Sequence, residues 1–329
     1  MEIDLINPEK LKKFFEYKKY NCIKPYSIIN KNDTVFVSAG IQPLLKDYIA
    51  GKIIDNEKLY VSQPVIRTQY ADSIKEGSSI AFINITSSCF NNSEKDYNNM
   101  IDDWYELFSE LNMKKEDFNT VSDIYETNWG NLKLFGKRTF HYYQNLEIGD
   151  TTFFTNVRNE NDEIVADSMC DLGFGLERLR WKVSKNSYYD LYSNTNQLDV
   201  KTKAYLSVLS LLAVNEVKPS NKNSGYRARL FSKKLVSLLE AKNLNKEELK
   251  YLDECMKYWS EWHEKNYVAN NKVILDEYIR NGNRYYLDIL INENYDNLSK
   301  IDINISREQF IKRLHSSGVE YEKIKKLMR

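Results

Sequence analysis

The chain has 329 residues, 42% hydrophobic and 13% aromatic, which is enough for a sizeable core and argues against global disorder. Lysine plus arginine and aspartate plus glutamate each total 47, so no bulk charge favours a nucleic-acid partner and only a local basic face would supply one. Cys22, Cys89, Cys170 and Cys255 form no CxxC, no apolar run approaches the ~20 residues of a membrane span, and the charged amphipathic start has no signal core. These features predict a disulfide-free protein of the reducing cytoplasm, with no membrane partner.

Helical spacing of Leu11, Phe14 and Phe15 predicts a first helix over about 7–20. "NDTVFVSAG" alternates like a strand ending at Gly40, and "KLYVSQPVIRTQY" and "SSIAFINIT" predict two more strands separated by the polar "ADSIKEG". Residues 97–113 predict an amphipathic helix with Met100, Trp104, Leu107, Phe108 and Leu111 inward. Strand character returns in "RTFHYYQNLEIG", "TTFFTNVR" and "EIVADSMCDLG", with "NENDE" as a hairpin turn and a helix beginning near Leu176. After about residue 195 the runs "KTKAYLSVLSLLAV", "YRARLFSKKLVSLLEAK", "KEELKYLDECMKYWSEWHEK" and "REQFIKRLHSSGVEYEKIKKLM" all predict helices. The expectation is an α+β protein: a mainly antiparallel sheet with helices in residues 1–195, then an all-helical domain in 196–329.

The densest chemistry is "DSMCDLGFGLERLRW". It lacks the third glycine of a dinucleotide loop and the Gly-Lys-Ser/Thr of a P-loop. Gly173 and Gly175 let a ligand approach the backbone, and Arg178 sits in the first turn of the following helix, where an anion is favoured. From these residues alone, a phosphate site and an ordinary turn with a surface Glu-Arg pair both stay open. Upstream, Arg67 ends one strand-like run and Phe82 lies in the next, a pairing that suits a phosphate and a stacked adenine or, equally, a solvated arginine beside a core phenylalanine. His141, His263 and His315 lack ligand spacing and read as core or surface residues, so no zinc site is expected.

Five stretches in order, "NDTVFVSAGIQPLLKDYIAG", "SQPVIRT", "SSIAFINITSSCFN", "DLGFGLERLRW…YYDLY" and "PSNKNSGYRARLFSKKL", resemble the aminoacylation region of alanyl-tRNA synthetases, especially archaeal-type members, from about Phe14 to Lys234. "ISREQFIKRLHSSGVEYEKI" is similar to the end of that family's acceptor-recognition region. The resemblance implies a class II aminoacyl-tRNA synthetase-like antiparallel sheet flanked by helices, ATP and Mg²⁺ as cofactors, and transfer of an activated amino acid to a tRNA. It implies that Arg67 grips the α-phosphate, Phe82 stacks on adenine, and Arg178 takes the γ-phosphate, with Glu177 and Gly175 beside it on the nucleotide. It implies further that Asp171 binds the α-ammonium, Gly173 underlies the small side chain, Trp129 closes the amino-acid pocket and Glu147 faces Mg²⁺.

The pattern departs from the family in three places. Asp150 and Thr152 stand where bacterial members carry asparagine and valine, which makes the amino-acid pocket more polar and leaves alanine, serine and a diamino acid open as substrates. The sequence ends where a full-length enzyme would continue into editing and C-terminal domains, so a truncated stand-alone form is expected. Arg227, Arg229, Lys233 and Lys234 form a short basic patch for an acceptor stem or a solvated helix face. Three readings follow: a tRNA-charging enzyme, an enzyme that passes the same adenylate to a carrier protein, peptide or small molecule, and a silent binding or regulatory relative. The oligomeric state is left open.

Overall fold

In the computed structural model the chain is described over residues 7–30, 35–75, 77–184, 188–192, 198–267 and 271–328, apart from the side chains of residues 191 and 296. It divides into two compact units, Met1–Leu191 with Glu261–Lys265, and Tyr192–Ser260 with Asn266–Arg329. The expected boundary at 195 falls within 193–197, outside the described residues.

In the first unit, helix α1 (Pro8–Tyr17) starts at Asn7, whose side chain accepts from the Lys10 amide, and at a proline suited to the first turn. The short β1 (Asn21–Cys22) and helix α2 (Ile41–Ile49) follow. The strand expected at 32–40 is not formed by the described part of that segment: Phe36 makes an isolated bridge to Ile29, and Val37 bonds once each to Ile28 and Ile66. Gly40 ends no strand; it is the N-cap of α2 and donates its amide to Asn84 Oδ1 at 2.8 Å. A Cβ there would lie 2.3 Å from Thr86 Oγ1, so only glycine lets α2 begin this close to the sheet.

Strands β2 (Leu59–Ile66) and β3 (Ala81–Phe90) match expectation, as does helix α3 (Glu94–Glu110), which Ser93 and Asp96 close with a reciprocal capping box. Strand β4 (Phe118–Trp129) was not foreseen, because its residues are mostly exposed and carry little hydrophobic pattern. "RTFHYYQNLEIG" proves to be a hairpin: β5 (Leu132–Tyr143) and β6 (Leu146–Arg158) join at Gln144 and Asn145, both at positive φ, as a two-residue hairpin turn requires. Strands β7 (Ile164–Ala166) and β8 (Met169–Gly175) and helix α4 (Leu176–Ser184) complete the unit. The sheet order is β1-β2-β3-β8-β6-β5-β4, with β7 on β6; β1 runs parallel to β2 and every other pairing is antiparallel.

Alternation gives this sheet two unlike faces. On one, α3 buries Trp104 and Phe108 against Phe174, with ring centroids 4.2 and 5.1 Å away, and each large ring removed from water contributes about 1.5–3 kcal/mol. Along β3, β8, β6 and β5 the other face presents Phe82 and Asn84, then Asp171, Gly173 and Gly175, then Asp150 and Thr152, then Arg138 and Phe140. Part of the core is one buried cluster that joins Ile41 and Leu44 of α2 to Phe90, Phe154 and Met169 of the sheet.

The second unit is helical: α5 (Val200–Val214), α6 (Asn223–Leu238), α7 (Lys246–Trp262, whose last two residues group with the first unit), α8 (Lys272–Asn292), α9 (Arg307–Ser316) and α10 (Tyr321–Leu327). Every residue of α5 from Thr202 to Leu212 is buried, in keeping with apolar residues on every side of the helix. The 21-residue α8 was not anticipated, and the single C-terminal helix expected is two, broken at Gly318 with φ +94°. Among the described residues no helix is long and apolar enough to cross a membrane.

Candidate functional site

The polar face of the sheet forms a cavity of about 470 Å³ wholly within the first unit. Ten of the expected site residues line it: Arg67, Phe82, Trp129, Glu147, Asp150, Thr152, Asp171, Gly173, Gly175 and Arg178. They come from strands far apart in sequence, and the register brings them together: Thr152 lies opposite Asp171, Asp150 opposite Gly173, and Asn84 opposite Gly175.

Arg67 immediately follows β2. Its Nε donates to the Ser38 carbonyl at 3.0 Å, its guanidinium carbon lies 4.9 Å from the Phe82 ring centroid, and its two Nη groups donate to no described residue. One edge of the fork is thus anchored and the other faces the cavity, a geometry suited to an anionic oxygen pair. A Cβ on Gly175 would meet Arg178 Cβ at 3.7 Å and Phe82 Cδ2 at 3.9 Å, so the missing side chain keeps open the space between these two. Arg178 Nη1 donates to the Glu147 carbonyl at 2.9 Å and to Glu147 Oε1 at 3.1 Å.

Asp150 and Asp171 are diagonal neighbours on β6 and β8, recessed in the cavity, and neither carboxylate accepts a hydrogen bond or pairs with a cation among the described residues. Burial pushes the Asp150 carboxyl up to about 6; Arg67 opposes the rise and Glu147 adds to it. Burial also holds Asp171 well above the usual carboxylate range, Asp150 raising it further and Arg67 opposing. Gly173 forms the floor beside them. A Cβ there would lie 3.3 Å from Asn84 Nδ2 and otherwise enter open space.

Glu177, expected on the nucleotide beside Arg178, does not line the cavity. It is fully buried, and its Oε1 and Oε2 accept from the Ile83 amide at 3.1 and 2.9 Å. Strand β8 ends opposite Asn84, so Ile83 lies one residue past that ladder and needs another acceptor. Glu177 supplies it, locking α4 to the strand that carries Phe82.

Arg138 and Asn84 are among the lining residues that escaped the sequence reading. Arg138 on β5 pairs opposite Thr152, donates to Asp123 Oδ1 and Oδ2 at 3.2 and 2.8 Å, and lies between Tyr125 and Phe140, 4.2 and 4.4 Å from their centroids. Asn84 accepts from Gly40 and Thr86. The signal for both was period-two counting, from Phe82 to Asn84 and from Arg138 to Phe140, which needed the strand bounds.

His141 lies in the core as expected: its ring nitrogens face Tyr105 Oη and Thr151 Oγ1, each at 3.0 Å, and burial lowers it to about 4. His263 is buried and lowered to about 3, also chiefly by burial, and His315 Nδ1 sits 3.2 Å from the Val319 carbonyl. Among the described residues no three His, Cys, Asp or Glu side chains converge as metal ligands. An Mg²⁺ arriving with ATP needs only one or two carboxylates, and Glu147, part-exposed on the cavity wall, fits that demand.

In the second unit the expected basic patch is divided. Seven residues apart, Arg227 and Lys234 share one side of α6, while Arg229 and Lys233, four apart, share another. Arg229 is engaged inside the unit, its Nε 2.9 Å from the buried Glu277 carboxylate, and only Lys233 of the four is exposed, the others being half-buried.

No protein-family model matches the chain, and no curated protein sequence does. Solved structures similar to it include two of a pyrrolysyl-tRNA synthetase from Desulfitobacterium hafniense. One, at 15% identity and TM-score 0.39, covers 54% of this chain and 66% of that one. The other, at 12% identity and TM-score 0.40, covers 60% and 75%.

Proposed function

We propose that the first unit activates a small amino acid with ATP, forming an aminoacyl-adenylate, and that the amino acid is then transferred to the 3′ end of a tRNA. The observation that carries the reading is the cavity itself. An anchored arginine with a free fork (Arg67), an aromatic ring (Phe82), a second arginine at a helix start (Arg178) and an unpaired carboxylate (Asp171) all open into one space.

The chemistry follows from those groups. The amino acid's carboxylate oxygen bonds to the α-phosphorus as the bond to the β-phosphate's bridging oxygen breaks, and pyrophosphate leaves. Arg67 would neutralise the α-phosphate as charge builds there, Phe82 would stack on adenine and Arg178 would take the far phosphate. Asp171 would hold the α-ammonium, aiming the carboxylate at phosphorus, and Trp129 would close the pocket. Glu147 would hold Mg²⁺, which supplies charge neutralisation on the phosphates. No nucleophilic side chain is required.

The test is incubation with labelled amino acid, ATP and total tRNA. Acid-precipitable, RNase-sensitive label supports the full reading. Adenylate formation without charged RNA moves the acceptor to a carrier protein, peptide or small molecule, a reading that the divided cations of α6 favour. Absence of both leaves a binding or regulatory protein.

A further inference from the structure

One α-ammonium needs one carboxylate, yet two open into the amino-acid end of this cavity. Asp150 and Asp171 are on the same face of adjacent antiparallel strands, offset by one diagonal step, which places their Cα atoms about 7–8 Å apart. Neither has a hydrogen-bond or ion-pair partner among the described residues. The cations around them make their hydrogen bonds elsewhere, Arg138 to Asp123, Arg178 to Glu147 and Arg67 to the Ser38 carbonyl, so they act on the two carboxyls only through space and less strongly than burial does. The space between the two carboxylates is kept by Gly173, whose absent side chain leaves the floor open up to Asn84.

We infer that the substrate is a short diamino acid, with an amine on its β or γ carbon: Asp171 takes the α-ammonium and Asp150 the side-chain ammonium. The inference rests on the adenylation reading above. An alanine methyl would leave Asp150 desolvated and unpaired, the costliest arrangement for a charge. A serine hydroxyl would donate one hydrogen bond but leave the second negative charge uncompensated. An ammonium supplies both the hydrogen bonds and the charge. The raised affinity of both carboxyls for a proton is the same demand for a positive partner, expressed without substrate. A lysine-length side chain would carry its amine past the diagonal neighbour.

The experiment is ATP–pyrophosphate exchange with 2,3-diaminopropanoate, 2,4-diaminobutanoate, lysine, alanine and serine, on the parent and on Asp150→Asn, with melting curves of both. The expected result is a kcat/KM for one of the short diamino acids about 100-fold above alanine. In Asp150→Asn that ratio collapses to near one because the diamino value falls. Exchange led by alanine, serine or lysine in the parent, or a ratio unchanged in Asp150→Asn, overturns the inference and leaves adenylation standing. Absence of exchange with every amino acid removes the adenylation reading, and this inference with it. Should Asp150→Asn fail to fold, the parent's ranking alone decides.

Discussion

The Arg67 guanidinium lies 4.9 Å from the centre of the Phe82 ring, anchored by one bond to the Ser38 carbonyl and free at its outer edge. One residue immediately follows β2 and the other is the second residue of β3, so the pair exists only because these strands are hydrogen-bonded neighbours, Val65 opposite Phe82. Truncating either member separates their roles. Phe82→Ala is expected to raise the KM for ATP by roughly 10-fold, the loss of one base–ring stack, with a smaller change in kcat. Arg67→Lys should lower kcat about 100-fold with little change in KM, because a point charge does not reproduce the fork. Steady-state exchange kinetics over ATP concentration check both.

Glu177 is a structural anchor. Glu177→Ala leaves the Ile83 amide unsatisfied in a buried position, at an expected cost of about 1–3 kcal/mol in folding stability. A drop in the urea midpoint with the KM for ATP of the remaining folded enzyme unchanged is the anticipated pattern. A normal midpoint with raised KM would place the side chain on the nucleotide instead.

Two glycines in register-adjacent positions should behave in opposite ways. Gly149→Ala drives a Cβ to 2.3 Å from the Gly173 carbonyl, and the sheet has to shift, so loss of stability is expected. Gly173→Ala meets only Asn84 Nδ2, at 3.3 Å, and otherwise fills cavity space. It is expected to fold and to lose amino-acid binding. Thermal melts paired with exchange assays separate the two outcomes.

Asp150 links the site to stability. Its carboxyl rises by burial from an ordinary 3.8 to about 6, so between those values the folded protein holds a proton that the unfolded chain has released. Its contribution to stability is therefore best at low pH and falls as pH climbs from about 4 to about 6. Asp150→Asn removes this penalty. The variant is expected to melt a few degrees above the parent at pH 7.5, with the difference closing near pH 4. A variant melting below the parent at pH 7.5 would mean the carboxylate has a partner in the free protein.

Much of this was legible because chemistry and periodicity coincide in the sequence. "DLGFGLER" reads as a strand, a turn and a helix, and the structure gives the strand and the helix, with β8 ending at Gly175 and α4 starting at Leu176 and no turn residue between them. The amphipathic run around Trp104 was readable for the same reason, since its apolar spacing points one way. Strand β4 was not, because an exposed edge strand carries almost no burial pattern. Arg138 was missed with it: its partners Asp123 and Tyr125 lie on β4, and only that pairing makes the arginine part of the cavity wall. Glu177 was misjudged because its chain neighbour Arg178 faces the cavity, and one residue of helix turns a side chain through about 100°. The cations of α6 show the same limit, four in a short run that the helix distributes over two sides.

The central claim is that this cavity forms an acyl-phosphate bond between an amino acid and AMP. The most direct measurement is amino-acid-dependent incorporation of labelled pyrophosphate into ATP, by the parent protein and by Arg67→Ala. The expected result is exchange that requires one small amino acid and Mg²⁺, and that falls by at least about 100-fold in Arg67→Ala with the fold intact. Exchange absent with every amino acid in the folded parent, or retained undiminished in Arg67→Ala, would contradict it.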